Sequence, residues 1–266
     1  MLEIFHYNFM VRAFVAGIII AVLAPVIGIF LVVRRYSLLA DTLSHVSLVG
    51  VAAGIFFNIN PVLGALVVSS LAVFGMEKLR AKKKLFGESV LALFLSGSLA
   101  IALIILGLSH GLNVNIFSYL FGSITTVNSG DLWLISGFGL VVLAVTSLLF
   151  KKFFLVSYDE ELAQANGLPV SALNITMMLL AAVTISLSMQ VVGILLIGAL
   201  MVIPVLTAAQ LSGSFSQTLR LAIIFSLLAV IAGLFLAFYL NLPSGGAIVA
   251  VALLLFGASL LKNKRY

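Results

Sequence analysis

Residues 11–33 read VRAFVAGIIIAVLAPVIGIFLVV, with Arg12 the only charge, and run straight into RRYSLLADTLSHVSL at 34–48. A helix over the first stretch rises about 1.5 Å per residue and so reaches about 35 Å. That is enough to cross a hydrocarbon layer of about 30 Å. The second stretch opens with two arginines and then sets an aspartate and a histidine, Asp41 and His45, inside another apolar run. The pattern of a long apolar segment, a short cationic turn and a second apolar segment repeats along the chain. It makes the protein a polytopic membrane protein.

Composition agrees. Of 266 residues, 63% are apolar and 8% are charged, against about 25% charged in an ordinary soluble domain. Most of the exterior must therefore face lipid. The net charge of +6 does not point to nucleic acid, because the cations lie in short clusters between apolar runs rather than along one face. There are no cysteines, which excludes disulfides and thiolate metal sites. The first ten residues carry no cationic region, and the run after Arg12 is too long for a secretory signal, so it reads as an uncleaved first span.

Nine segments are long enough to span: 11–33, 38–57, 61–77, 88–109, 131–150, 171–189, 191–210, 221–240 and 244–261. The stretch NVNIFSYLFGSI at 113–124 is apolar but short, and reads as a half-helix dipping into the outer interface. With Lys78, Arg80 and Lys82–Lys84 placed in the cytoplasm, nine alternating spans put 13 of the 14 basic residues inside and only Arg12 outside. The positive-inside rule thus favours an outer N-terminus and an inner C-terminus. The fold expected is all-α, one transmembrane domain over 1–266, with eight spans possible if one segment lies flat. Gly50 and Gly54 form a GxxxG pair, and Gly193 and Gly198 mark a later span; all four read as helix-packing positions. Pro25 and Pro204 read as kinks.

Asp41 and His45 stand at i and i+4, on one face of a helix. Ionisable residues within a span are costly and usually face a polar cavity or a partner. Carboxylate oxygen and imidazole nitrogen both suit zinc and manganese. The competing reading has Asp41 capping or pairing with Arg34 or Arg35, and His45 bonded to a carbonyl. Two ligands do not complete a site, but two copies of the chain would bring four. His6 and His110 fall at outer ends of spans, and Asp131 reads as the N-cap of its helix.

The connection KKFFLVSYDEELAQANGLPVSAL (151–173) holds a short helix in which Ser157 or Asp159 caps a first turn containing Glu160 and Glu161, and Gly167 and Pro169 stop it. About two turns of helix are not stable alone in water, so it docks on something. Either it is a coupling helix seated in a peripheral ATPase or it is a plain connector.

These residues together resemble the zinc/manganese/iron-chelate family of ABC permeases, and most of all its zinc-uptake branch. The resemblance runs through Arg34-Arg35-Tyr36-Ser37, Asp41-Thr42-Leu43-Ser44-His45, Tyr119-Leu120-Phe121-Gly122-Ser123, residues 159–167, Val192-Gly193, Leu200-Met201-Val202-Ile203-Pro204 and Pro243-Ser244-Gly245-Gly246. Glu161, Ala163 and Gly167 are similar to the E-x-A-x-x-x-G core of importer permeases. Ser123 and Val205-Leu206 depart from the usual pattern.

The resemblance implies a bacterial plasma-membrane permease that pairs with a second copy of itself, and Asp41 and His45 on the metal path. It implies coupling through Asp159, Glu160, Glu161, Ala163 and Gly167 to two copies of a cytoplasmic ATPase. It also implies an external metal-binding protein. Zinc is favoured over manganese or iron on Thr42. No cofactor is expected in the chain and no enzymatic activity, because no Walker A string is present and ATP belongs to the partner. A proton-coupled transporter is the rival; it would move metal without ATP.

Overall fold

The computed structural model describes residues 4, 6–81, 87–108 and 116–262. Lys82–Lys84, His110, Lys264, Arg265 and the first residues of the 113–124 stretch lie outside them. Among the described residues the fold is entirely helical: α1 (Asn8–Val33), α2 (Ser37–Phe56), α3 (Pro61–Ala81), α4 (Gly87–Leu108), α5 (Ile116–Phe121), α6 (Ser129–Tyr158), α7 (Glu160–Ala165), α8 (Val170–Ser188), α9 (Ile197–Ala209), α10 (Phe215–Leu240) and α11 (Ser244–Lys262). Eight of them are long and apolar enough to cross a membrane.

Contacts at the helix ends fix the topology. At one end Arg34 after α1, Arg80 in the last turn of α3, Glu160 at the start of α7 and Asn174 near the start of α8 bond to one another. Phe215 at the start of α10 packs there against Phe30, Phe150 and Phe154. At the other end Asn60, Asp131 and Gln190 meet, Arg12 reaches Ser129, and Ser244 reaches Val191. The first end also carries Arg35, Lys78, Lys151 and Lys152, which makes it cytoplasmic by the positive-inside rule.

Successive segments therefore alternate in direction, as the nine-span reading requires. The seventh crossing is not the continuous helix expected over 191–210. Residues 189–196 are non-helical and only the 13 residues of α9 complete the passage.

Irregular backbone at membrane depth survives only where its polar groups find protein partners. Here α5 supplies them. Ile194 and Leu195 N–H groups donate to the Tyr119 and Leu120 carbonyls at 2.9 and 3.2 Å, and Ser123 N–H donates back to Gln190 O at 3.0 Å. Ser244 Oγ closes Val191 O at 2.6 Å. Gly193, at φ +87°, lies so close to the α5 backbone that any side chain there would strike residues 120–122. The quoted strings around Tyr119, Val192 and Pro243 thus meet in one knot. Among the described residues the half-helix is the six residues of α5, and it ends at Phe121 rather than at 124.

Helix α2 lies deep in the bundle, packed against α3, α4, α8 and α9. Its Gly50 meets Gly64 of α3 backbone to backbone, each standing where the other's Cβ would be, as the GxxxG reading anticipated. Ser186 of α8 holds Ser47 of α2 at 3.2 Å and Ser69 of α3 at 3.0 Å, all three buried. Helix α6 has 30 residues; at about 45 Å it outruns the bilayer and carries α7 beyond it.

Candidate functional site

The buried face of α2 includes Leu39, Ala40, Thr42, Leu43, Ser44, Val46 and Ser47. Its open stripe is Leu38, Asp41, His45 and Val49, spaced by three or four residues as one helix face requires. The two ionisable residues of this helix therefore share its least covered face. Asp41 is exposed, and no hydrogen bond or ion pair from a described residue reaches its carboxylate. His45 is half-buried, and its Nδ1 is sealed off without a partner. The two stand at i and i+4, one helical turn apart.

Among the described residues the competing reading finds no support from Arg34 or from His45 Nδ1. Arg34 is turned the other way, and the His45 Nδ1 meets no carbonyl. Among the described residues no three His, Asp or Glu side chains converge. Thr42 points inward and donates to the carbonyls of Leu38 and Leu91, tying α2 to α4.

The cytoplasmic site is built on α7. Asp159 is its N-cap, accepting from Leu162 N–H at 2.8 Å, while Ser157 is buried in α6 beside Met177. The helix is six residues long. Gly167, at φ +75°, takes the left-handed turn that ends it, and Leu168 N–H returns to Ala163 O at 3.1 Å. Ala163 is fully buried and anchors the helix to α6 and α8, whereas Glu161, Leu162 and Gln164 face outward.

Glu160 has the role its sequence position did not reveal. Its carboxylate meets Arg34 Nη2 and Arg80 Nη2 at 3.3 Å each, and Asn174 Nδ2 donates to it at 2.7 Å. Arg34 also donates to Asn174 Oδ1, and both arginines flank the Tyr36 ring at 5.0 and 5.6 Å. Glu77 steadies Arg80 from one turn away at 3.6 Å. Burial lowers the Arg34 guanidinium from its ordinary value while Glu160 opposes that; the group stays charged regardless. The acidic helix is thereby bolted to the turn that feeds α2, and Asp41 lies about one helical turn into α2.

At the outer end the N-cap of α6 is Asn128, and Asp131 sits at N3 rather than at the cap expected of it. It joins a capping box with Asn128 and accepts from Gln190 Nε2 at 3.0 Å and Asn60 Nδ2 at 3.3 Å, fully buried. Burial and then the Asp131 charge push the nearby Tyr119 phenol up. His6 is exposed at the outer end of α1.

The description "ABC 3 transport family" matches residues 6–263. The chain belongs to that family. Among its ABC 3 relatives, the high-affinity zinc uptake system membrane protein ZnuB of Haemophilus influenzae is 31% identical over 97% of this chain and 99% of its own length. The manganese transport system membrane protein MntC of Listeria monocytogenes is 30% identical over 94% of this chain and 89% of its own. A solved structure of PsaBC from Streptococcus pneumoniae in complex with Fab superposes with a TM-score of 0.84 at 29% identity, over 98% of this chain and 94% of that one. As an ABC 3 member the protein is a multi-pass membrane permease of the all-α class.

Glu77, Arg80 and Asn174, which complete the Glu160 cluster, and Asn60 and Gln190, which complete the Asp131 cluster, were not singled out in the sequence. Each is a polar residue in or beside a span, and that was the available signal.

Proposed function

We propose that this chain is the permease of an ATP-driven importer for a divalent metal ion, zinc foremost, and that two copies pair so that Asp41 and His45 of each face a shared passage. The observation that carries this reading is the placement of Asp41 and His45. They emerge side by side and unpartnered on the least covered stripe of a helix otherwise sunk in the bundle. A carboxylate left facing lipid is expensive; a second copy and a wet pathway remove that cost. Two carboxylates and two imidazoles suit tetrahedral zinc, in keeping with the zinc-uptake relative. Manganese, named in another relative, is the alternative cargo of the same site.

An external metal-binding protein delivers the ion, and two cytoplasmic ATPases dock on the outward residues of α7, Glu161, Leu162 and Gln164. Closure of the ATPases moves α7. Glu160 passes that movement to Arg34 and so to the turn before α2, tilting the ligands between outward and inward access. ATP is bound and hydrolysed by the partner ATPases, so direction comes from them.

The test is uptake of radiolabelled zinc, with manganese as competitor, in cells lacking this chain and in cells re-expressing it. Uptake restored by the wild type but not by Asp41→Asn with His45→Ala supports the reading. Equal restoration by the variant refutes it, and uptake by the chain alone in liposomes without ATP would favour proton coupling.

A further inference from the structure

The glycines of this bundle meet different surroundings. At Gly28, Gly50 and Gly64 an added Cβ would strike the backbone of the neighbouring helix, which is close helix packing. Gly198, in the first turn of α9, is different. The three atoms nearest its missing Cβ all belong to Asp41: Oδ1, which would overlap it outright, Cγ at 3.2 Å and the backbone N at 3.7 Å. The last is an ordinary van der Waals distance. The obstacle to a side chain at 198 is therefore the Asp41 carboxylate itself and not the fit of α9 against α2.

We propose that Gly198 is a positioning residue for the cation passage: its bare Cα is the seat of one Asp41 carboxylate oxygen, and that seat fixes where the carboxylate points. The functional half of this inference rests on the assignment of Asp41 to the passage; the geometric half does not. A methyl group at 198 forces Asp41 into another staggered rotamer. Metal–ligand distances tolerate shifts of only about 0.2 Å, so the ligand is lost to the site although it is still in the chain. The seat spans two helices that pack on each other, α2 and α9. Any sliding of α9 along α2 therefore releases or re-seats the carboxylate, which gives the passage a way to change its grip without moving α2.

The test compares purified full-length permease in lipid nanodiscs as wild type, Gly198→Ala, Asp41→Ala and the double variant. It reads thermal unfolding and equilibrium binding of zinc and of manganese. The inference expects Gly198→Ala to weaken binding of the metal that the wild type holds by about tenfold or more. It also expects the Gly198→Ala change to have no effect on the unfolding midpoint in the Asp41→Ala background, where its only obstacle is gone.

If Gly198→Ala alone fails to fold, folding of the double variant supports the seat and failure of both overturns it. Unchanged metal affinity in folded Gly198→Ala, or an equal loss of stability in both backgrounds, also overturns it. Should Asp41→Ala bind metal like the wild type, the passage assignment fails, and the unfolding comparison still decides the seat.

Discussion

Changing Glu160 to glutamine removes the charge that joins α7 to the turn before α2 and leaves the outward face of α7 intact. Hydrogen bonds to charged groups contribute about 1.5–3 kcal/mol when sheltered, and exposed ion pairs about 0.2–1 kcal/mol. The Arg34 side chain is 5% exposed, but Glu160 is 42% and Arg80 27%. The Arg34 contact is therefore discounted to about 1–2 kcal/mol and the Arg80 contact to below about 1 kcal/mol. A loss of 1–2 kcal/mol shifts the balance between locked and unlocked arrangements by about 5- to 30-fold.

The assay is metal transported per ATP hydrolysed, in proteoliposomes holding the permease with its ATPase. Glu160→Gln should keep the ATPase bound and hydrolysing while transport per ATP falls by about fivefold or more. Adding Arg34→Gln should cost little beyond that, since both residues act through one contact. Undiminished transport per ATP in Glu160→Gln would refute this, as would a second, additive loss in the double variant.

Asp159→Ala removes the N-cap of a six-residue helix, a loss of about 1 kcal/mol, and should weaken co-purification of the ATPase while leaving the permease's own unfolding midpoint almost unmoved. Asp131→Ala strands buried donors on Gln190 and Asn60, at about 1–3 kcal/mol for each group left unsatisfied; thermal unfolding should fall clearly, and less so for Asp131→Asn. Gly193→Ala places a Cβ at φ +87° against the backbone of α5. Loss of folded protein in size-exclusion chromatography is expected, in contrast to Gly246→Ala, where nothing lies within 4 Å of the added atom.

What could be read from the sequence followed from local physics. Apolar length marks a span wherever it occurs, so α1, α2 and α8 fall close to their expected bounds. The i, i+4 spacing put Asp41 and His45 on one face before any neighbour was known. Asp159 as a cap and Gly167 as a stop are equally local.

What was not legible depends on residues far apart in the chain. The run 191–210 carries no charge, and only Gly193 hints that it breaks; the break is held by hydrogen bonds to the carbonyls of α5, which no local pattern encodes. Arg34 was a candidate partner for Asp41 because the two are near in sequence, yet α7 and α8 fold back to claim it. Gly198 read as packing because a glycine in a span usually is packing. Only the Asp41 carboxylate lying against it shows otherwise.

The most direct test of the account is zinc stoichiometry on the purified permease, by equilibrium binding with X-ray absorption to identify the ligand atoms. The account predicts one zinc for every two chains, in a shell of mixed nitrogen and oxygen donors that disappears when Asp41→Asn and His45→Ala are combined. One zinc per single chain, or a shell unchanged in that double variant, would contradict it.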